Sequence, residues 1–283
     1  MEEQNSIEQS LLRIAEALER LAPLQAAEPD FSSQCFFRFE AERREFQPFE
    51  RRALPLDLLV GIERQKTLVT GAVTRFAAGL PVNHILLWGA RGTGKSSLLK
   101  AAVADSSRQT PALKLVEVDR DHLAALPVLF SRLGARTERF VLFCDDLSFE
   151  AGADQAKSLK SALEGGVGGP SDNVLFAATS NRRHLAPEKN NEADGMLAAA
   201  EQAEETVSVS DRFGLWIGFP PMDQNAYLSA VRGYAAQIGI TDPDLDRKAL
   251  QWSQQRGGRS GRVAWQFIRE EAGSRSVTVN FSA

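Results

Sequence analysis

From residue 55 onward, short runs rich in β-branched and aromatic residues alternate with segments of helical periodicity. There are five such runs, at 84–89, 114–119, 140–146, 173–181 and 214–219. Helical patterns between them include 95–104 and 156–164, and Gly165 and Gly166 end the second one. Continuous apolar strands that alternate with helices are typical of a parallel sheet covered on both faces. The sequence therefore predicts an α/β fold, with a five-stranded parallel sheet in the middle of three αβα layers.

The pattern becomes purely helical after Pro220 and Pro221, with helices predicted at 223–238, 245–256 and 260–272. We therefore predict a large sheet domain over 55–220, a small all-helical domain over 221–272 and a tail over 273–283. Residues 187–206 are polar, acidic and poor in aromatic residues, so they are interpreted as a flexible acidic insertion in the sheet domain.

Residues 1–54 are predicted to form an N-terminal helix and an extension. Within 6–22, apolar residues recur at spacings of four and three, which gives an amphipathic helix with a seam only about two heptads long. That seam is expected to dock on the chain's own body or on a partner helix. The aromatic and arginine residues of 35–52 are interpreted as a packed extension with a charged face, or as a contact surface for a neighbour or a nucleic acid.

Composition narrows the class of protein. The chain has 283 residues and a net charge of −4, so no global basic field indicates nucleic-acid binding. No apolar run approaches the roughly 20 residues that a membrane span needs. The acidic N-terminal residues do not resemble a secretory signal, and two cysteines do not make a disulfide framework. We therefore expect a cytoplasmic protein with no membrane span.

The stretch "GARGTGKS" at 89–96 fits the pattern G-x-x-x-x-G-K-[ST], with an apolar run before it and a helical pattern after it. Glycines allow backbone N–H groups to curl round a phosphate chain, and the following helix directs its positive end to the same place. Lys95 is then expected on the β- and γ-phosphates, and the hydroxyl of Ser96 on Mg²⁺. These residues predict that a nucleoside triphosphate binds here.

Polar side chains follow the next two apolar runs. Asp145 and Asp146 end the run at 140–146, and Asn181 ends the run at 173–181. Because the carboxyl ends of parallel strands line the ligand crevice, we expect Asp145 to hold Mg²⁺, and Asp146 to act as the catalytic acid/base on the attacking water. Asn181 is expected to share that water with Asp146. Cys144 is interpreted as a core residue.

Together these motifs resemble the AAA+ superfamily of P-loop ATPases. Their order is typical of it: a phosphate loop, an acidic strand end, a strand that ends in Asn181, then "SDRFGLW" and a helical unit with "GGRSGR". More narrowly, "FVLFCDDLSFE", "LKSALEGG" and "SVSDRFGLWIGF" are similar to a bacterial AAA+ family called domain of unknown function 815. The resemblance covers residues 55–272 and implies a three-layer P-loop fold followed by a helical lid. It implies no pathway, since the cellular role of that family is not established.

The resemblance also implies roles for single positions, with ATP and Mg²⁺ as the ligands. Asp145 and Asp146 match the Walker B pair, and Asn181 matches the sensor 1 residue. Arg212 matches the arginine finger, which reaches the nucleotide of an adjacent subunit. The residues implied in nucleotide binding are Gly61 and Ile62 at the adenine ring, the Walker A loop (Gly89, Ala90, Arg91, Gly92, Thr93, Gly94, Lys95 and Ser96) with Ser97, and Arg262 as sensor 2, with Arg259 as its alternative.

One departure from the family pattern concerns the expected rate of ATP hydrolysis. The usual Walker B pair is Asp-Glu, whereas this chain has Asp-Asp, and Asp146 is one methylene shorter than a glutamate. A small misplacement at a reacting centre can cost about 10²-fold in rate. The resemblance therefore implies an ATPase that is compatible with slow hydrolysis, or with a switch that binds ATP far more than it turns it over.

The implied assembly is a homo-oligomer, either a ring or a filament-like arc, that uses ATP to change the conformation of an unidentified protein partner. Two other functions stay open. A nucleic-acid-associated initiator or loader is favoured by the "SDRFGLW" wording, but not by the acidic net charge or by the lack of a helix-turn-helix pattern. An ATP-gated interaction scaffold would bind ATP with little or no hydrolysis.

Overall fold

A computed structural model of the chain describes residues 29–50, 53–147, 159–163, 171–181 and 211–279. The helix predicted at 6–22 and the insertion predicted at 187–206 lie outside these ranges, and so do parts of the helical pattern at 156–164.

The described residues form one seven-stranded sheet and a separate group of helices. The strands are β1 (Phe36–Glu40), β2 (Glu45–Pro48), β3 (Ile85–Gly89), β4 (Leu113–Val118), β5 (Arg139–Cys144), β6 (Val174–Ser180) and β7 (Leu215–Phe219). Their order across the sheet is β2-β1-β4-β5-β6-β3-β7. Strand β2 runs antiparallel to β1, and all other neighbours are parallel. The five predicted strands are present, with bounds shifted by two residues at most.

The prediction of five strands was too low, because the segment at 35–52 supplies β1 and β2. Phe37 and Phe39 of β1 are buried, and Arg38 between them is exposed. The Arg38 guanidinium lies 5.6 Å from the centre of the Phe49 ring. The period-two alternation of a strand is therefore present only from Phe37 to Phe39, since Phe36 is buried in the core on the other face, and the many charged residues around it hid the pattern. The described part of this segment forms a packed extension, and a contact surface for a neighbour or a nucleic acid stays a prediction.

Helices cover both faces of the sheet. Helices α1 (Glu63–Ala77) and α2 (Lys95–Gln109) pack on one face, while α3 (Leu126–Gly134) and the helical residues 159–163 pack on the other. Successive strand residues point to opposite faces, so Leu86 packs in the core with α3 and Leu87 in the core with α1 and α2. The predicted three-layer αβα arrangement is confirmed.

The last three described helices have a core of their own. They are α4 (Gln224–Gln237), α5 (Leu245–Gln255) and α6 (Gly261–Ser274). Tyr227 of α4 is fully buried there, and its hydroxyl donates to the carbonyl oxygen of Ala249 at 3.0 Å. Ser260 caps α6 by accepting a hydrogen bond from the N–H of Val263. The predicted helical unit is thus confirmed, and we call it the lid. Among the described helices, none is long and apolar enough to cross a membrane.

His84 makes the stability of the sheet depend on pH. It directly precedes β3, and its Nδ1 accepts a hydrogen bond from the N–H of Phe176 in β6 at 3.2 Å. Burial lowers the pKa of His84 to about 4. Between pH 6.5 and about 4, His84 is protonated in the unfolded chain but neutral in the folded chain. Its contribution to the free energy of unfolding is therefore complete above pH 6.5 and is lost as the pH falls towards 4.

We predict that lowering the pH from about 7.5 to about 5 costs the wild type about 2 kcal/mol more than it costs a His84→Asn variant. The asparagine oxygen can accept the same N–H but does not titrate. Urea unfolding at the two pH values measures the difference. An equal loss in the two proteins would remove His84 as the titrating group.

Candidate nucleotide-binding site

The loop between β3 and α2 depends on backbone that only glycine adopts easily. Gly94 caps the N-terminus of α2 with φ +95°, and Gly92 has φ +76°. A Cβ on Gly92 would lie 2.8 Å from the Oγ of Ser260 at the start of the lid helix α6. The loop therefore passes close to the lid.

Lys95 holds the loop from inside. Its side chain is buried, and Nζ donates to the carbonyl oxygens of Gly89 at 2.6 Å and Ala90 at 2.8 Å. A third bond, at 3.2 Å, goes to Oδ1 of Asn181 on the neighbouring strand. Burial lowers the pKa of Lys95, although the carboxylates of Asp145 and Asp146 act in the opposite direction. The ammonium group thus lies between the loop and the carboxyl ends of the strands.

Asp145, which follows the end of β5, is hydrogen-bonded to residues of both helix α2 and strand β6. Its Oδ1 accepts hydrogen bonds from Ser96 Oγ at 2.5 Å and from Thr179 Oγ1 at 2.6 Å. Hydroxyl and carboxylate oxygens are the ligands that Mg²⁺ prefers, usually with phosphate oxygens and water completing its shell. The two predicted metal ligands, Ser96 and Asp145, are therefore adjacent, and their chemistry fits Mg²⁺.

Asp146 is held between an amide and two arginines. Its backbone has φ +56°, and its N–H donates to Thr179 Oγ1 at 2.9 Å. Asn181 Nδ2 donates to its Oδ1. Its Oδ2 lies 3.8 Å from a guanidinium nitrogen of Arg91 and 4.0 Å from one of Arg120. The structure thus brings the two predicted catalytic residues, Asp146 and Asn181, into direct contact.

Thr179 and Arg120 were missed by the sequence reasoning, although both carry a usable signal. Thr179 precedes Asn181 by two residues on one strand, so both project to the same face. Arg120 follows the end of β4, and the carboxyl ends of adjacent parallel strands share one edge. In contrast, Cys144 is buried at the end of β5, and burial raises the pKa of its thiol, as befits a core residue.

A cavity of about 810 Å³ opens between this edge of the sheet and the lid. Its polar part is lined by Arg91, Gly92, Thr93, Gly94, Lys95, Ser96, Ser97, Asp145, Asp146, Thr179, Asn181, Gly261 and Arg262. Its apolar part is lined by Ala53, Leu54, Leu58, Leu59, Val60, Ile62, Met222, Ala230, Tyr234, Trp265 and Val279. A polar end that can hold phosphates and an apolar end that can hold a base fit a nucleotide.

The two residues predicted at the adenine ring have different surroundings. Ile62 lines the apolar part, but Gly61 does not line the cavity. Instead, Gly61 packs against the lid, where a Cβ on it would lie 2.6 Å from Cβ of Ala226 in α4. The sequence reasoning missed the lid aromatics Tyr234 and Trp265, whose rings meet edge to face at 5.7 Å. Burial raises the pKa of Tyr234 to about 12, so its hydroxyl stays protonated at neutral pH.

The three arginines named from the resemblance lie at different places. Arg262, in the first turn of α6, lines the cavity, and its charge is one cause that lowers the pKa of Lys95. Arg259 instead donates to Oε1 of Gln224 at 3.3 Å. Arg212 is exposed in the turn before β7 and does not line the cavity of its own chain.

The lid also bonds directly to the phosphate loop. The N–H of Gly261 donates to the carbonyl oxygen of Gly92 at 2.9 Å. Since Gly261 begins α6, the positive end of this helix is directed at the loop. Two helix N-termini, those of α2 and α6, therefore lie at the polar end of one cavity.

The sequence model of a family described as "Protein of unknown function (DUF815)" matches residues 32–275. The chain belongs to this DUF815 family. None of the curated proteins matches the chain.

Several solved structures share the fold of this DUF815 protein. Thermotoga maritima RuvB, a Holliday junction branch migration motor, is 16% identical with a TM-score of 0.54, and the match covers 80% of this chain and 67% of RuvB. The Aeropyrum pernix Orc1 protein in complex with DNA is 16% identical with a TM-score of 0.54, over 77% and 62%. C. elegans PCH-2 is 17% identical with a TM-score of 0.50, over 77% and 64%. The chain thus spans about two thirds of the length of these proteins, and the predicted AAA+ P-loop fold is confirmed.

We predict that Gly92→Ala lowers the free energy of unfolding of this DUF815 protein by about 1–3 kcal/mol. The methyl group would strain the left-handed backbone at this position and would also lie too close to Ser260. Gly257→Ala is the matched control, since Gly257 has φ +75° and nothing lies within 4 Å of the added methyl group. Urea unfolding of the two variants measures the difference. Equal stability in both would contradict the close approach of loop and lid.

Proposed function

We propose that the protein is a Mg²⁺-dependent ATPase that binds ATP between the sheet edge and the lid. The observation that carries this proposal is the meeting of Lys95, Ser96, Asp145, Asp146 and Asn181 at the polar end of one cavity. Binding alone requires only the loop, the lysine and the metal ligands. The carboxylate of Asp146 and the amide of Asn181, which bond to each other, support hydrolysis as well.

The phosphates are held by the loop and the two helix N-termini. Lys95 exchanges one or more of its bonds to Gly89, Ala90 and Asn181 for phosphate oxygens. Ser96 and Asp145 would hold Mg²⁺, which would polarise the phosphate oxygens and offset their negative charge. Arg262 approaches the terminal phosphate from the lid, so the lid position depends on whether that phosphate is present.

Asp146 accepts the proton of the attacking water, and Asn181 orients that water. In the structure the two side chains bond directly to each other, so a water molecule must separate them before it can be activated. The guanidinium groups of Arg91 and Arg120 lie beside the other carboxylate oxygen of Asp146, Oδ2. A slow turnover is consistent with this arrangement, because the Asp146 side chain is one methylene shorter than a glutamate and is already hydrogen-bonded to Asn181.

The adenine ring of ATP lies against the apolar lining of the cavity, which includes Ile62 and the lid aromatics Tyr234 and Trp265. This wall offers stacking and apolar contact rather than charged groups. We assign ATP as the nucleotide, with the family resemblance as the support for adenine over guanine. Competition between ATP and GTP for binding tests that assignment.

Arg212 acts on the nucleotide of a neighbouring subunit. Its exposed position, outside the cavity of its own chain, suits a residue that completes a site across a subunit interface. The proposed assembly is a homo-oligomer that changes the conformation of a protein partner as ATP is hydrolysed. An arginine that stabilises transition-state charge is worth about 10³–10⁵ in rate in related phosphoryl-transfer sites.

We predict that Asp146→Asn keeps ATP affinity within about threefold and lowers turnover by at least about 100-fold, since the amide cannot accept the proton. Lys95→Ala, by contrast, loses nucleotide binding itself. Calorimetric titration and phosphate release measure the two quantities on the same samples. Full turnover by Asp146→Asn would overturn its catalytic role, and tight ATP binding without turnover by the wild type would favour the scaffold function.

The role of Arg212 across the interface predicts complementation. Arg212→Ala and Asp146→Asn are each inactive alone, but a mixture recovers turnover, because an intact Asp146 then meets an intact Arg212 from the neighbouring subunit. Phosphate release is measured across a range of protein concentrations, with Arg108→Ala as a control that keeps full activity. A mixture as inactive as its components would exclude an interface role for Arg212.

A further inference from the structure

The chain reverses direction where α6 ends. The N–H of Val277 donates to the carbonyl oxygen of Ala272 at 2.9 Å, and that of Ser276 donates to Gly273 at 3.1 Å. Ser276 has φ +53°, so the helix ends in a left-handed turn with the bond pattern of a Schellman motif. Such a turn directs the following residues back along the helix that they leave.

Residues 275–279, which we call the strap, therefore run back towards the cavity. Trp265 lies ten residues before 275, or about 15 Å along the helix axis, and an extended segment of four or five residues spans a similar distance. Val277 and Val279 are half-buried against the lid core, whereas Thr278 between them is exposed. Val279 lines the cavity together with Trp265.

The turn at the base of the strap is fixed by charged groups. Arg275 donates to Oδ2 of Asp242 at 2.5 Å and to Oε2 of Glu271 at 2.9 Å. Lys248 also donates to Oδ2 of Asp242, at 2.8 Å. Hydrogen bonds from Lys248 and the N–H of Asp244 are the main causes that lower the pKa of Asp242 to about 2, so the cluster persists at neutral pH. The strap thus begins from a fixed point on the lid.

Val279 belongs to the apolar end of the cavity. It packs on the same lid core as Leu54, Val60, Met222 and Trp265, and these residues line the apolar wall with it. The phosphate loop and the acidic residues supply the polar lining of the same cavity. An apolar side chain among these apolar neighbours offers no partner to a charged phosphate and suits contact with a base.

We propose that the strap is a nucleotide-retaining element, in which Val279 covers the base of bound nucleotide and slows its release. This inference rests on the proposed function, since it requires that a nucleotide occupies the cavity. A contact with the base is the same for ATP and ADP, whereas a contact through Arg262 distinguishes them by the terminal phosphate. The strap therefore sets how long either nucleotide stays, independently of hydrolysis.

The experiment compares three ligands, namely ATP, ADP and inorganic tripolyphosphate, each with Mg²⁺. Val279→Asp places a charge in the apolar wall, and Thr278→Asp places the same charge on the adjacent exposed position. Calorimetry gives the affinities, and stopped-flow fluorescence of a labelled ADP gives the release rate. Val279→Ala is a milder variant that removes contact without adding a charge.

We expect Val279→Asp to weaken ATP and ADP by the same factor, about tenfold, and to speed release to a similar extent, with tripolyphosphate affinity unchanged. Val279→Ala should show the same selectivity with a smaller effect, and Thr278→Asp should bind like the wild type. Unchanged tripolyphosphate binding also shows that the variant is folded.

Three results would overturn the strap's role while leaving the proposed function in place. The first is no change in nucleotide affinity, and the second is an equal loss of tripolyphosphate affinity in both valine variants. The third is equal effects of Thr278→Asp and Val279→Asp. If the wild type bound neither ATP nor tripolyphosphate, the proposed function itself would fail, and the strap's role with it.

Discussion

Two hydroxyl groups converge on one oxygen of Asp145, and the rest of the site is arranged around that contact. Ser96 brings the N-terminus of α2, and Thr179 brings the end of β6, to the end of β5. Thr179 in turn accepts the N–H of Asp146, which sets the left-handed turn that aims the second carboxylate at Asn181. Hydrogen bonds to a carboxylate are stronger than those between neutral groups, so this node fixes three elements relative to the loop.

Much of this could be predicted because the signals are local. The pattern from Gly89 to Ser96 needs only its own residues and the elements on either side, and the apolar runs that become β3 to β6 are largely buried on both faces. Strand ends then follow from topology, which is why Asp145, Asp146 and Asn181 could be expected at one edge before any distance was known. Their contacts with Lys95 and Ser96 agree with that expectation.

What could not be predicted depends on packing between distant segments. The apolar wall joins residues near 53–62 with α4, α6 and Val279, and no periodicity shows that Tyr234 and Trp265 meet there. The family resemblance predicted Gly61 at the adenine ring, but the structure shows that its lack of a side chain allows α4 to pack closely against it. The strands β1 and β2 were hidden because arginines and glutamates lie among the buried phenylalanines, a composition that is typical of a charged surface segment.

The hairpin of β1 and β2 has a consequence for solubility. Strand β1 pairs with β4 through Leu115, Val116 and Glu117, and Phe31 packs its ring against Phe37 and Phe140. A fragment that began at residue 55 would leave β4 as an open, apolar sheet edge, which is a template for intermolecular strand pairing. The hairpin replaces that edge with β2, a four-residue strand that begins at Glu45 and ends at Pro48. Those few residues act as a gatekeeper against aggregation, so recombinant fragments of this protein should begin before Phe31.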